Sequence, residues 1–183
     1  MKFDYLGYEL KFIQKQPSKD KSSHLYSLIY KFFSPISNYH YILTADYHKE
    51  DVFAIKFYCK KDRHSDYKYS KIVNKGDVGN ILMTCAKAVP LIFKDYPTAS
   101  FGFSGARSID FKSLKVEDYR NNQRFRIYKK LVAIKFGTQT FTHYEYEAIS
   151  AYLLVNNKCK NIKQKERDIA HMFSATYINL PDL

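Results

Sequence analysis

The chain has 183 residues, of which 45% are hydrophobic and 26% are charged, a composition typical of one globular domain that needs neither metals nor disulfides to fold. Thirty basic and eighteen acidic residues leave a net charge of +12. This charge favours an anionic partner, such as nucleic acid, a nucleotide-like cofactor or an acidic protein, although a solvated basic surface would also account for it. No apolar run approaches the roughly 18 residues that span a bilayer.

The first 73 residues predict an antiparallel β-meander. Aromatic and β-branched residues are concentrated in short runs that are separated by polar turns, as in consecutive hairpins. The predicted strands cover residues 8–13, 24–33, 38–48, 51–60 and 67–73, with a polar loop at 16–23 and a turn at 61–66. His40 and His48 in the third strand and His64 in a turn have no partner at metal-ligand spacing, so we predict that they lie at the surface.

The spacing of the apolar residues changes where the first predicted helix begins. From Val78 to Tyr96 the apolar residues recur at steps of three and four, which predicts an amphipathic helix. Asp77 is a candidate N-cap, and Pro90 is expected to kink or split the helix. Cys85 lies on its apolar face, which predicts a packed thiol rather than a nucleophile.

The second half of the chain predicts alternating strands and helices. A strand at 99–104 precedes a basic helix over 116–134, which Gly137 ends; two strands follow at 140–147 and 150–156. A C-terminal helix begins at Ile162 and ends before Pro181. The prediction is therefore one α+β domain with a meander (1–73), a β-α-β-α-β-β core (74–157) and a C-terminal helix (158–183).

The spacing of the cysteines and the N-terminal residues indicate the cellular compartment of the protein. Cys59, Cys85 and Cys159 are odd in number and far apart, which indicates thiols in a reducing compartment rather than a disulfide framework. The N-terminus carries acidic residues and lacks the apolar core of a signal peptide. We therefore predict a cytoplasmic protein.

The order of elements resembles the core of the GNAT acyltransferase fold. Many GNAT enzymes carry an Asn followed seven residues later by a Tyr, and Asn121 and Tyr128 have this spacing, with Lys130 and Leu131 also matching. The resemblance implies a mixed sheet, a cofactor such as acetyl-CoA or another acyl-CoA, and no metal. It further implies that Asn121 contacts coenzyme A and that Tyr128 protonates the leaving thiolate. From the residues alone, a tyrosine packed in the core is the alternative for Tyr128.

The resemblance also implies a pyrophosphate loop at the start of the first helix. GNAT proteins carry Q/R-x-x-G-x-G/A there, and residues 74–79 align with it. Gly79 is in place and Gly76 and Lys75 can supply a turn and a positive charge, but Asp77 replaces the first glycine and would repel a phosphate. Arg124 and Arg126 point about 200° apart on a helix, so only one of them can face a given ligand, and Arg124 is the candidate phosphate clamp. The alternative is that both extend to solvent or pair with acids such as Glu117 and Asp118.

A second resemblance concerns residues 38–157. The stretch NNQRFRIY is similar to the N-T-x-R-[FY]-R-[VI]-Y pattern of a bacterial family, found mainly in Bacteroidetes, with Asn122 where Thr is expected. It implies no activity.

A row of polar side chains offers a candidate base. His143, Glu145 and Glu147 share one face of a predicted strand. They form a proton relay, a metal site or a solvated edge. In GNAT folds this strand lies beside the acceptor site, which makes Glu145 the candidate base.

Three classes of function remain open. The first is a GNAT-like acyltransferase with a degenerate pyrophosphate loop, whose cofactor would lie in a V-shaped gap between strands 67–73 and 99–104. The second is a basic nucleic-acid-binding or toxin-like module that binds RNA, DNA or an acidic, antitoxin-type protein without catalysis. The third is a plain interaction protein.

Overall fold

The computed structural model describes residues 4–71, 76–110 and 112–177, and it confirms an α+β protein built on a mixed seven-stranded sheet. The strands are β1 (Lys11–Pro17), β2 (His24–Ser34), β3 (Tyr39–His48), β4 (Val52–Cys59), β5 (Ser100–Ser104), β6 (Ile109–Asp110), β7 (Lys115–Val116), β8 (Phe141–Tyr146) and β9 (Ala151–Asn156). The helices are α1 (Val78–Phe93), α2 (Gln123–Lys135) and α3 (Ile162–Thr176). The sheet order is β1-β2-β3-β4-β5-β9-β8, and β6 and β7 form a separate hairpin.

The two faces of the sheet are covered by different helices. On one face, α1 and α2 bury a large aromatic and aliphatic core that includes Phe53, Phe101 and Leu82. On the other face, α3 packs through Ile169 on Val52 and Leu153. These three-layer contacts remove most of the apolar surface from water, which is the main driving force for folding.

One parallel pair at the centre of the sheet ends early. β4 and β5 pair in parallel from Val52 opposite Ser100 to Ile55 opposite Phe103, whereas the other paired neighbours are antiparallel. β4 then continues to Cys59 without β5 beside it. The sheet therefore opens at the carboxyl ends of these two strands.

Several sequence predictions are wrong in detail. Residues 67–70 form turns rather than a strand, Lys71 makes a single parallel bridge to Ile109, and positions 72–73 lie outside the described residues. The first strand begins at Lys11, because residues 7 and 8 instead bond to the side chains of α1. α1 is not split at Pro90, and it ends at Phe93.

The basic helix α2 begins seven residues later than its apolar spacing predicts. Lys115 and Val116 belong to β7, and the carboxylate of Glu117 accepts from the backbone N–H groups of Ser108 and Gln123. Asn122 is the N-cap, and its side-chain oxygen accepts from the N–H of Phe125 at 2.9 Å. A capping side chain of this kind satisfies an N–H group that the helix leaves unpaired, which fixes the start at Gln123.

Asn122 also fixes α2 to the end of β5. Its amide nitrogen donates to the carbonyl of Gly105, and its own N–H donates to the Ser150 hydroxyl at 2.9 Å. A Cβ at position 105 would lie 2.6 Å from the Asn122 side-chain oxygen and 2.8 Å from the N–H nitrogen of Phe125. Glycine is therefore needed at position 105 for the helix to approach the strand.

His48, predicted to lie at the surface, is fully buried beneath the end of α3. Its Nδ1 lies 2.8 Å from the Asp46 carbonyl, which can only accept, so Nδ1 carries the proton and Nε2 accepts from the Tyr177 hydroxyl at 2.7 Å. Burial lowers the pKa of His48 to about 4. The prediction failed because the covering residue lies 129 positions away in the sequence.

We expect Asn122→Ala to destabilise the protein by about 2 kcal/mol, because it removes a helix cap and leaves a buried carbonyl unpaired. Urea denaturation measures the loss. Asn122→Thr keeps a capping oxygen and should cost less. Equal losses for both variants would contradict the capping role.

We expect stability to fall by about 3 kcal/mol as the pH is lowered from 6.5 to 4, because the unfolded His48 binds a proton in this window and the folded one does not. His48→Gln should remove this part of the pH dependence, as measured by urea denaturation at several pH values. His171→Gln, at an exposed position of α3, is the matched control and should leave the dependence unchanged.

Candidate ligand-binding cleft

A cleft of about 270 Å³ lies at the carboxyl end of β4, beyond the residues that pair with β5. Its floor contains Phe57 and Cys59 from β4, and its rim is formed by the turns of residues 67–71. Ligands of open α/β sheets bind at the carboxyl ends of parallel strands, at the point where the chain leaves in different directions. The position of this cleft corresponds to that rule.

Two helices begin at the cleft. Gly76 and Val78, at the start of α1, and Gln123 and Arg124, at the start of α2, all line it. Gly76 has a φ of +71°, a left-handed conformation that favours glycine. Helix N-termini carry N–H groups without helical partners and a partial positive charge. At α2 the Gln123 and Phe125 N–H groups are already bonded to Glu117 and Asn122, whereas the N-cap residue of α1 makes no such bond with its side chain, so it is the start of α1 that favours an anion at the mouth of the cleft.

Three cations reinforce this preference. Lys68, Lys71 and Arg124 line the cleft, and Lys71 forms an ion pair with Asp62 at 3.1 Å. The ammonium of Lys68 lies 4.7 Å from the ring centroid of Tyr58 and 5.1 Å from that of Tyr69. The charge of Lys68 is thus held beside two aromatic faces at the rim.

Arg124 closes the inner end of the cleft. Its guanidinium donates to the main-chain carbonyls of Tyr69 and Lys71, the second at 3.2 Å, and lies 5.5 Å from the ring centroid of Phe57. Burial lowers the pKa of Arg124 and raises that of Tyr69 well above its usual value. In this arrangement Arg124 fixes the turn that covers the opening in the sheet.

Asp77 does not cap α1 through its side chain. Its buried carboxylate accepts from the hydroxyls of Tyr8 and Ser34 and from the amide of Asn80. Burial and the bond to Asp77 raise the pKa of Tyr8. The negative charge at the start of α1 is therefore surrounded by donors and does not occupy the N–H groups of the first turn.

Gly79 is covered by the N-terminal segment. A Cβ at this position would lie 2.2 Å from Cζ of Tyr5, so glycine is needed here for ring packing. Gly79 is buried and does not line the cleft. Lys75, the third residue of the predicted pyrophosphate loop, lies outside the described residues.

Tyr128 lies deeper than the cleft. It is 2% exposed, packs on Phe103, and borders a cavity of about 10 Å³ that it shares with Arg124 and Tyr69. Burial beside Cys85 raises the pKa of Tyr128 well above its usual value, and burial also raises the pKa of Cys85. A cavity of this size holds about one water, so an acyl group would enter only after Arg124 and Tyr69 moved.

Two predicted site residues lie elsewhere. Asn121 has a left-handed backbone (φ +49°), donates its N–H to the Glu147 carbonyl at 2.9 Å, and does not line the cleft. Glu145, on the edge strand β8, forms an ion pair with Lys129 at 2.5 Å and borders none of the cavities described here. The row with His143 is broken, because β8 ends before Glu147 and His143 lies 2.8 Å from the Tyr152 hydroxyl.

The sequence did not point to Lys68, Tyr69 or Lys71 as site residues. Their alternation with Tyr67 and Ser70 is typical of a strand, and that pattern concealed a turn. A dense group of Lys and Tyr beside a Gly-containing loop was the available signal.

Comparisons of the chain with protein-family models, with curated proteins and with solved structures found no match. Within residues 4–71, 76–110 and 112–177, no group of three His, Cys, Asp or Glu residues is arranged to hold a metal ion. In the same part of the chain, no helix has the length and apolar character required to cross a membrane.

We expect Arg124→Met to destabilise the protein by about 3 kcal/mol, because two main-chain carbonyls lose charge-assisted hydrogen bonds. Arg126→Met is the matched control: Arg126 is exposed and its guanidinium bonds only to the Asn121 carbonyl among the contacts described, so its loss should stay within about 0.5 kcal/mol. Urea denaturation compares the two. Similar losses would contradict the role of Arg124 in closing the sheet.

Proposed function

We propose that this protein is GNAT-like and binds an acyl-CoA in the cleft at the carboxyl end of β4, with acyl transfer to an acceptor as its activity. The observation that carries the proposal is the early end of the β4–β5 pairing. The first residues of α1 and of α2 both line the cleft that lies beyond it. The predicted gap between strands at 67–73 and 99–104 is not present, because residues 67–70 form turns. The opening beside β5 instead has β4 as its other side, and its position at the centre of a mixed sheet supports the proposal.

The charges of the cleft support a phosphate-bearing ligand. Lys68 and Lys71 lie at the rim beside the N-terminus of α1, where a pyrophosphate would meet both ammonium groups and main-chain N–H groups. Tyr58 and Tyr69 meet edge to face at 5.6 Å between ring centroids and offer an aromatic surface to a purine. Gly79 and Asn121 have no part in this binding mode.

Acyl transfer requires one conformational step. The thioester would reach Tyr128 only when Arg124 releases the carbonyls of Tyr69 and Lys71 and turns towards the phosphates. Exchange of two carbonyl acceptors for an anionic oxygen favours that movement, because hydrogen bonds to charged groups are stronger. Tyr128, protonated at neutral pH because burial raises its pKa, would then donate to the leaving thiolate.

A second candidate is a nucleic-acid-binding module. The net charge of +12 and the pairing of Lys68 with two tyrosine rings favour it, because phosphate neutralisation and base stacking require these residue types. Single-stranded RNA or DNA would use the same rim without entering the sheet.

We expect acetyl-CoA at low millimolar concentration to raise the melting temperature, because a ligand that binds the native state stabilises it by mass action. Lys68→Ala should reduce the shift, whereas Lys130→Ala, at an exposed position of α2 outside the cleft, should leave it unchanged. No shift with acetyl-CoA or free coenzyme A would remove the acyltransferase proposal.

Two further measurements separate catalysis from binding. Tyr128→Phe should lower turnover without weakening the acetyl-CoA shift. A single-stranded oligonucleotide that binds with a steep dependence on salt, in the absence of any acetyl-CoA shift, would favour the second candidate instead.

A further inference from the structure

The face of the sheet beneath α3 contains a second cavity, of about 110 Å³. It lies between α3 and strands β4, β5 and β9, on the opposite side of the sheet from α1 and α2. Its walls include Ala54, Leu153, Ile169 and Phe173. We propose that this cavity is a binding site for a small neutral apolar molecule, with a single aromatic ring or a short branched alkyl group.

The cavity exists because the facing positions carry small side chains. Ala54 and Gly102 on the sheet and Ala170 on α3 all border it. A Cβ at position 102 would lie 3.1 Å from a ring carbon of Phe173, so this ring already fills the space above the glycine. The remaining volume stays open beside the ring.

The cavity is larger than the voids that are usual in a packed protein interior. Protein interiors contain few voids larger than a water molecule, and a water needs polar partners that apolar walls do not supply. An engineered apolar cavity of about 150 Å³ in another protein binds benzene. A volume of about 110 Å³ with an opening therefore matches one ring or a branched chain of similar size.

Three polar groups at the cavity already have partners among residues outside its lining, which favours a neutral ligand. Lys56 is the charged residue among those that line the cavity, and its ammonium lies 3.2 Å from the Asp46 carboxylate and 4.2 Å from the Tyr177 ring centroid. The Tyr177 hydroxyl bonds to His48, and the Tyr146 hydroxyl donates to Glu166. An ionic ligand would be buried without a partner, which is costly, whereas a neutral apolar ligand gains from leaving water.

This site is independent of the proposed acyltransferase activity, because its walls and its ligand class differ from those of the basic cleft. The two sites are nevertheless separated by a single layer of sheet. Ile55, Lys56 and Ser104 border both the apolar cavity and the small cavity beside Tyr128.

The test uses the full chain and three probes of similar size: benzene, phenol and benzoate. We expect benzene and phenol to raise the melting temperature in a saturable manner and benzoate to have no such effect. Ala170→Leu fills the cavity and should weaken phenol binding at least tenfold. Ala175→Leu introduces the same side chain at an exposed position of α3 and should leave binding unchanged.

A second variant and a second measurement distinguish loss of binding from loss of folding. Ala151→Val reduces the cavity from β9 and should also weaken phenol, with circular dichroism verifying that each variant is folded. Chemical-shift changes on phenol addition should centre on the residues that line the cavity. The proposal is overturned if no probe binds saturably, if both leucine variants bind phenol equally, or if benzoate binds as well as phenol does.

Discussion

The contact of Arg124 with the main chain of Tyr69 and Lys71 is the constraint on which this architecture depends. β4 and β5 stop pairing after Ile55 and Phe103, and the turn of residues 67–71 lies at the cleft beyond that point. From the first turn of α2, one guanidinium donates to two carbonyls of this turn, which need donors as buried backbone groups do. The same side chain lines both the basic cleft and the small cavity beside Tyr128, so passage from one to the other depends on one residue.

The parts of the fold that depend on local period could be predicted from the sequence. The alternation in β2, β3 and β4 and the three- and four-residue spacing in α1 and α3 reflect which side chains face a core, and the structure confirms these elements. The start of α2 could not be read in this way, because Val116 and Tyr119 continue the helical spacing into a hairpin and a turn. Their backbone is fixed by Glu117 and Asn122, whose partners depend on tertiary structure.

The candidate site was predictable to a lesser degree. Spacing on a helix indicates the direction of a side chain, and Arg124 does reach the cleft. Gly76, just before α1, also lines it. Spacing cannot show what covers a residue. Tyr5 covers Gly79 and a chain reversal carries Asn121 towards Glu147, and both contacts join segments that are distant in the sequence. Lys68 and Tyr69 were not predicted as site residues, because the alternating sequence around them is typical of a strand although the chain forms a turn there.

The buried carboxylate of Asp77 has a consequence for the order of folding. Its partner Tyr8 lies 69 positions earlier in the chain, and Ser34 lies 43 positions earlier. Closing loops of that length costs entropy before any contact compensates for it, so distant pairs tend to form after local ones. The Asp77 carboxylate obtains these two donors only after the meander and the N-terminal segment are in place, so we expect the mouth of the cleft to reach its native arrangement late in folding.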